Sequence, residues 1–247
     1  MSVTLTLIDR VANSVEAAHV SYQTSLRALL AQFLDRSDAH APRARGELMG
    51  SLHDARMHAC SGIYDLISQG IDDVVDAAET DVDGSISDDL QQDLIELESQ
   101  ALDVSLAQVS DALRMDEDMV LSTFRKLQLR ATMKIAQGVD PKVAFDMVKS
   151  GAITAISFSR VDRSGSRWST SIYTRTVVRA LAVNSYTETF CMYLLSEGLD
   201  VASITGEHGN QIKFSITGND PALSTLTGIQ ADYLHPNASR LITRWTD

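Results

Sequence analysis

Residues 153–198 read ITAISFSRVDRSGSRWSTSIYTRTVVRALAVNSYTETFCMYLLSEG, and this stretch decides the fold class. Its first nine residues have the β-branched content and partial alternation of a strand, and Ser164 with Gly165 predicts a turn. Ser169 can cap the long helix that follows, and Gly198 stands where a C′ glycine is expected. A strand, a turn and a long helix in succession indicate a domain of mixed secondary structure.

The chain on the C-terminal side of this stretch also predicts strands. DVASIT and QIKFSIT, residues 200–205 and 211–217, are short strand-like runs next to glycine-containing turns. Residues 231–247 have little periodicity. We therefore expect a small mixed α/β domain over residues 138–247, built on one long helix and short strands.

The chain before residue 138 reads as helices. Apolar residues recur at spacings of three and four, which is the period of an amphipathic helix. Gly138 predicts the end of the last long helix, and Asp140 with Pro141 predicts the N-terminus of a short one. The fold class that we predict is α+β, with a helical arm or bundle in residues 1–137. The four predicted long helices cover about residues 8–34, 46–76, 90–109 and 117–137.

The charge distribution limits the classes of partner. The 247 residues carry a formal charge of −12. Residues 62–118 contain seventeen acids and one base, Arg114, whereas residues 119–138 contain four bases and no acid. The acidic segment repels phosphate, so it is a poor DNA-binding surface and we expect at most a weak DNA contact. No run reaches the roughly 18 apolar residues of a bilayer span, so we expect no membrane.

An acidic turn between the second and third predicted helices resembles half of a calcium loop. Glu79, Asp81 and Asp83 fall at positions one, three and five of an EF-hand loop, and Gly84 falls at position six. Position twelve, which requires a bidentate glutamate, is Leu90. We favour a solvated turn over a calcium site and predict no metal and no other cofactor.

Catalytic and basic motifs are weak. A hydrolase would have to be built from Cys191, Ser203, Glu207 and His208, but no nucleophile elbow or triad order accompanies them. We therefore predict no catalytic residues and no enzyme. A basic stripe of Arg125, Lys126, Arg130 and Lys134 is open to three uses: a solvated face, a contact with the chain's own acidic segment, or a contact with phosphate.

The stretch from Phe158 to Arg240 resembles the C-terminal half of minor capsid and head-morphogenesis proteins of tailed phages. Asp162, Arg163, Gly165, Arg167 and Trp168 match that family's turn before a long helix. The matching helix residues are Tyr173, Arg175, Thr176 and Arg179; the later matches are Gly198 to Val201, Ser203, His208, Tyr233, Leu234, His235, Pro236, Asn237 and Arg240.

This chain departs from the family pattern at the cysteines that could bind zinc. Many relatives have cysteines around the closing histidine-proline-asparagine tract, but the corresponding residue here is Ala238 and no cysteine follows Cys191. A thiolate zinc site cannot form from this tail, so the zinc knuckle of the relatives is not expected.

The resemblance implies a low-copy structural protein of a tailed-virus head, made in the host cytoplasm and located in the virion. Its implied partners are the portal protein and/or the major capsid protein, and self-association through the helices is open. The alternative is a cellular helical module that binds a protein partner or regulates one. Neighbouring genes would separate the two, because a head protein is expected beside portal and capsid genes.

Overall fold

A computed structural model describes residues 3–36, 38–39, 41–82, 88–149, 151–162, 164–205, 210–234 and 240–245. The fold is α+β, as predicted. The helices are α1 (Val3–Leu34), α2 (Pro42–Val82), α3 (Asp88–Ala136), α4 (Pro141–Lys149), α5 (Thr170–Ser196) and α6 (Leu226–Tyr233). The strands are β1 (Ser159–Val161), β2 (Arg167–Ser169), β3 (Val201–Thr205), β4 (Gln211–Ser215), β5 (Ser224–Thr225) and β6 (Ile242–Arg244).

The long helices extend further than the sequence predicted. The predicted third and fourth helices are a single helix, α3, of 49 residues. No glycine or proline interrupts α3, so nothing in its sequence stops the backbone hydrogen-bond ladder. Helix α2 likewise continues to Val82, so Glu79 and Asp81 of the predicted acidic turn are helical. Asp83, Gly84 and Ile86 lie outside the described residues.

The predicted helix ends are confirmed. Gly138 has φ +88°, and the N–H of Val139 donates to the carbonyl of Lys134, which closes α3 with a Schellman motif. Asp140 then caps α4 by accepting from the N–H of Lys142 at 2.9 Å. Gly198 closes α5 with φ +76°.

Two sheets carry the strands. Strands β1 and β2 form an antiparallel hairpin, and the other sheet has the order β5-β4-β3-β6. The two predicted runs became β3 and β4, which pair antiparallel. The predicted strand over residues 153–161 was too long, because only Ser159–Val161 is extended and paired. Strand β6 and the last three residues of α6 lie in the tail, residues 231–247, where the sequence showed little periodicity.

The chain divides into two compact units. The first unit comprises Met1–Val15, Asp65–Ala107 and Arg175–Asp247, and the second comprises Glu16–Tyr64 and Gln108–Thr174. The division predicted at residue 137 separates a purely helical part of the chain from the part that contains every described strand. Each compact unit contains residues from both sides of residue 137.

Each unit has its own apolar core. In the first unit, α5 is buried on most sides from Val178 to Leu194, and Phe214 and Ile242 of the sheet are fully buried. Gly70 of α2 lies against Val11 of α1 so closely that an added Cβ would be 2.5 Å from Val11 Cγ1. The core of the second unit includes Leu26, Leu30, Leu48, Leu52, Leu113, Phe124 and Leu127, all of them nearly inaccessible to solvent.

Candidate functional site

One carboxylate organises the turn that closes the β1–β2 hairpin. Asp162 Oδ1 accepts from the backbone N–H of Ser164 at 2.8 Å and of Ser166 at 2.9 Å. Its Oδ2 accepts from the indole Nε1–H of Trp168 at 3.1 Å. Gly165, with φ +85°, supplies a backbone conformation that other residues rarely adopt. The Ser164 hydroxyl and these N–H donors lower the pKa of Asp162, so the turn keeps its charged acceptor at neutral pH.

Three side chains of residue types that are enriched at interface hot spots lie on this hairpin and the helix after it. Arg160 and Trp168 are register partners, so they project from the same side of the ribbon. The Arg160 guanidinium carbon lies 3.8 Å from the ring centroid of Tyr173, a cation–π contact. Tyr173 donates through its hydroxyl to Gln108 Oε1 at 3.1 Å. We call Arg160, Trp168 and Tyr173 the hairpin surface.

The hairpin surface is accessible to a partner. Trp168 is 38% exposed even though its indole N–H is bonded to Asp162. The opposite side of the ribbon carries Val161 and Arg167, which are also register partners. Val161 is 59% exposed, so the two sides differ in residue type rather than in accessibility.

The residues that match the phage family's turn and helix are divided between the two units. Asp162, Gly165, Trp168 and Tyr173 come together in the second unit, on the hairpin and the first turn of α5. Arg179 lies in the first unit, where its Nε donates to Asp9 Oδ1 at 2.7 Å and ties α5 to α1. Arg175 and Arg240 also belong to the first unit and are half-buried; Arg163, His208, His235, Pro236 and Asn237 lie outside the described residues.

A buried polar cluster in the second unit was not anticipated from the sequence. Asp116 of α3 is completely inaccessible, and its Oδ2 contacts His19 Nε2 at 2.9 Å and accepts from Gln23 Nε2 at 2.8 Å. The Thr170 hydroxyl donates to Asp116 Oδ1 at 2.8 Å. His19 Nδ1 lies 2.8 Å from Thr174 Oγ1. The cluster therefore joins α1, α3 and α5 by hydrogen bonds that the surrounding apolar residues shield from water.

A signal for this cluster is present in the sequence. Asp116 follows Leu113 by three residues and precedes Val120 by four, which places an acid in the apolar stripe of α3. His19 occupies the same kind of position between Val15 and Tyr22 in α1. Two polar residues in the core phase of separate helices predict a buried pair, since an isolated buried charge is too costly to retain.

The first unit contains a cleft of about 510 Å³. Leu5 and Phe190 are among its apolar lining residues, and Arg240 is on its rim beside strand β6. Asp81 Oδ2 accepts from the hydroxyls of Thr4 at 3.0 Å and Tyr186 at 2.9 Å. Because these bonds fix Asp81 as an acceptor for neighbouring side chains, they give it a structural role there.

The two nucleophile candidates that the structure describes, Ser203 and Cys191, are buried. Ser203 is buried in β3, with its Oγ 3.0 Å from Thr243 Oγ1 of β6. Burial raises the pKa of the Cys191 thiol to about 12, so the thiolate that attacks electrophiles is scarce at neutral pH. Glu207 and His208, the other candidates, lie outside the described residues.

Among the residues that the structure describes, no group of three or more His, Cys, Asp or Glu side chains is placed to hold a metal ion. Within the same residues, no helix combines the length and the apolar character needed to cross a membrane.

Comparison with known proteins adds no identification, because no family model, curated protein or solved structure matches this chain.

Proposed function

We propose that this chain is a minor structural protein of a tailed-virus head that docks on the portal protein and/or the major capsid protein through its hairpin surface. The observation that carries the proposal is the grouping of Arg160, Trp168 and Tyr173 on an accessible hairpin fixed by Asp162. The proposed protein has no turnover chemistry and acts in head assembly after its synthesis in the host cytoplasm.

The residue types of the hairpin surface support a docking role. Trp, Tyr and Arg are the side chains most enriched at interface hot spots, where a few residues supply most of the binding energy. An aromatic side chain with few rotatable bonds loses little entropy on binding, and the Asp162 bond removes part of the freedom of Trp168 beforehand. A partner can therefore bind a surface that is already ordered.

The sequence resemblance also supports the hairpin surface as the docking site. Asp162, Gly165 and Trp168, which match the turn of minor capsid proteins, form the hairpin turn itself. Tyr173 matches the helix start and is the residue on which Arg160 stacks. Four of the residues that carry the resemblance thus build or belong to the hairpin surface, whereas Arg179 lies in the first unit.

A second candidate function is a cellular helical module that binds or regulates a protein partner, and one observation favours it. Met49, Met57 and Tyr64 of α2 are 41%, 53% and 45% exposed and follow one helix face. Methionine and aromatic side chains on a helix suit groove-type contacts with many partners. This alternative places the binding surface on α2 rather than on the hairpin.

The test is incorporation of variants into virus heads. A virus lacking the gene is complemented with the wild-type chain, with Trp168→Ala or with Val161→Ala, and the chain is quantified in purified particles. Loss of a hot-spot side chain costs about 2 kcal/mol or more, so Trp168→Ala is expected to lower the bound amount at least about tenfold under limiting expression.

Val161→Ala is the matched control, because it removes exposed apolar surface from the opposite side of the same hairpin. Both variants are checked by circular dichroism for an unchanged fold. Equal incorporation of Trp168→Ala and wild type would exclude the hairpin surface as the docking site. Absence of the wild-type chain from all head particles would exclude the function itself.

A further inference from the structure

The N-terminal part of α3 exposes a stripe of mixed acidic and apolar residues in the first unit. Asp93, Leu97, Gln100, Val104 and Ala107 are all exposed and follow one another at spacings of four and three. Leu97 is 46% exposed and Val104 is 59% exposed, which is unusual for apolar side chains at this period. We call these five residues the acidic stripe, and the exposed residues beside it include the acids Glu96 and Asp103.

The C-terminal part of α3 exposes a stripe of the opposite charge in the second unit. Ser122, Arg125, Leu129, Thr132 and Ala136 are exposed at spacings of three and four. Leu129 is 64% exposed. We call these five residues the basic stripe, and the exposed residues beside it are Lys126 and Met133.

The two stripes have separate charges and the same spacing. No Lys or Arg occurs between residues 57 and 113, and no Asp or Glu occurs between residues 119 and 139. Within the described part of the chain, neither Arg125 on the basic stripe nor Lys126 beside it forms an ion pair, in contrast to Arg114, which is paired with Asp111. Alternating spacings of three and four are the pattern by which exposed helix faces pack side by side.

The stripes cannot cover each other within one chain. Both belong to the single helix α3, and side chains on one α-helix contact neighbours only three or four positions away. Each molecule therefore carries two complementary faces whose partner has to come from outside that helix. A second copy of the chain supplies both faces at the same concentration.

We infer that the protein self-associates by packing the acidic stripe of one copy on the basic stripe of another. Leu97 and Val104 on one face and Leu129 on the other supply the apolar contact, and the flanking acids and bases supply orientation. Two acidic stripes repel each other, and so do two basic stripes. The charges therefore favour the pairing of an acidic stripe with a basic one. This inference does not rest on the proposed head function.

The first experiment is sedimentation velocity on the full chain over a concentration series. The wild type is expected to associate at low salt and to weaken on raising the ionic strength from about 0.05 M to 1 M, where the screening length falls to about 3 Å. A wild type that remains monomeric up to about 100 μM at low salt would overturn the inference, since that concentration detects affinities of about 5 to 6 kcal/mol.

The second experiment is a charge swap. Arg125→Glu/Lys126→Glu makes the basic stripe acidic, and Asp93→Lys/Asp103→Lys makes the acidic stripe basic. Each double variant alone is expected to self-associate at least about tenfold more weakly, because exposed pairs that contribute about 0.2–1 kcal/mol each become repulsive. A mixture of the two is expected to associate again, since every acidic face then meets a basic one.

The control is Arg10→Glu/Lys142→Glu, which changes the net charge as much at exposed positions outside both stripes. It is expected to associate more strongly than Arg125→Glu/Lys126→Glu. Equal weakening by the two variants would show a net-charge effect and overturn the stripe pairing. Failure of the mixed charge-swap variants to associate would also overturn it.

Discussion

Replacing Asp116 with alanine tests the buried polar cluster. The substitution removes the acceptor for His19 Nε2, Gln23 Nε2 and the Thr170 hydroxyl at a site that is completely inaccessible to solvent. A buried donor without a partner costs about 1–3 kcal/mol. Gln23 Nε2 keeps a bond to Thr170 Oγ1 at 2.8 Å, so the three losses do not simply add.

His19 Nε2 and the Thr170 hydroxyl each lose a buried acceptor at about 1–3 kcal/mol apiece, and we expect Asp116→Ala to cost about 2–5 kcal/mol. The free energy of unfolding is measured by urea denaturation at low temperature, with helix content followed by circular dichroism. The control is Asp118→Ala, two residues further along α3 and 65% exposed, which is expected to change stability by less than about 0.5 kcal/mol.

A double variant tests whether His19 and Asp116 stabilise the fold as one hydrogen-bonded cluster or as independent contacts. His19→Ala/Asp116→Ala is expected to cost less than the sum of the two single substitutions, because each single substitution already breaks the shared bond. A loss below about 1 kcal/mol for Asp116→Ala would refute the reasoning, since it is smaller than the lower bound for one unsatisfied buried group.

Three further predictions concern packing, protonation and reactivity. Gly70→Ala is expected to destabilise by about 1–3 kcal/mol through overlap with the neighbouring valine, whereas Gly62→Ala, with open space at its Cβ, stabilises by about 0.5–1 kcal/mol in urea denaturation. The pKa of Asp162 is lowered in the folded chain, so its contribution to the turn is complete above its ordinary value of 3.8 and is lost as pH falls through the lower folded value. The indole N–H resonance of Trp168 is expected to shift only in that acidic window; an unchanged shift there would contradict the Asp162 bond. Cys191 is expected to resist alkylation at pH 8 in the folded protein and to react in urea, and rapid labelling of the folded protein would contradict its burial.

The sequence predicted the elements whose signals are local. Gly138, Asp140 and Gly198 lie where the backbone itself requires a glycine or a capping acceptor, and the structure confirms all three helix boundaries. The strand-like runs that became β3 and β4 were recognisable from their β-branched content and turns. These features depend on a few adjacent residues, which is why they can be predicted without knowledge of the tertiary structure.

Features that depend on distant residues were missed. Strand β6 is three residues long and forms because β3 offers it a backbone partner about forty positions away in the chain. The polar cluster joins residues separated by up to 155 positions, and no local pattern shows which helices will meet. The sequence analysis divided helix α3 into two, although neither glycine nor proline interrupts its 49 residues.

The candidate site was predicted only in part. The order Asp162, Gly165, Trp168 indicated a turn, but the sequence did not show that the Asp162 carboxylate bonds the Trp168 indole. It also did not show that Arg160 stacks on Tyr173, because that contact depends on how the hairpin folds against the start of α5. The motif had marked Trp168 and Tyr173 of the hairpin surface, but Arg160 was found only from the tertiary structure.

The proposed function predicts that a tailed-virus genome encodes this chain, and its most direct test is quantitative mass spectrometry of precursor heads and mature virions purified from such a virus. A head protein of low copy number predicts peptides of the chain in at least one of these particles, in constant ratio to the portal protein across preparations. Absence of the chain from both particles, with the portal and major capsid proteins detected in the same samples, would contradict the account.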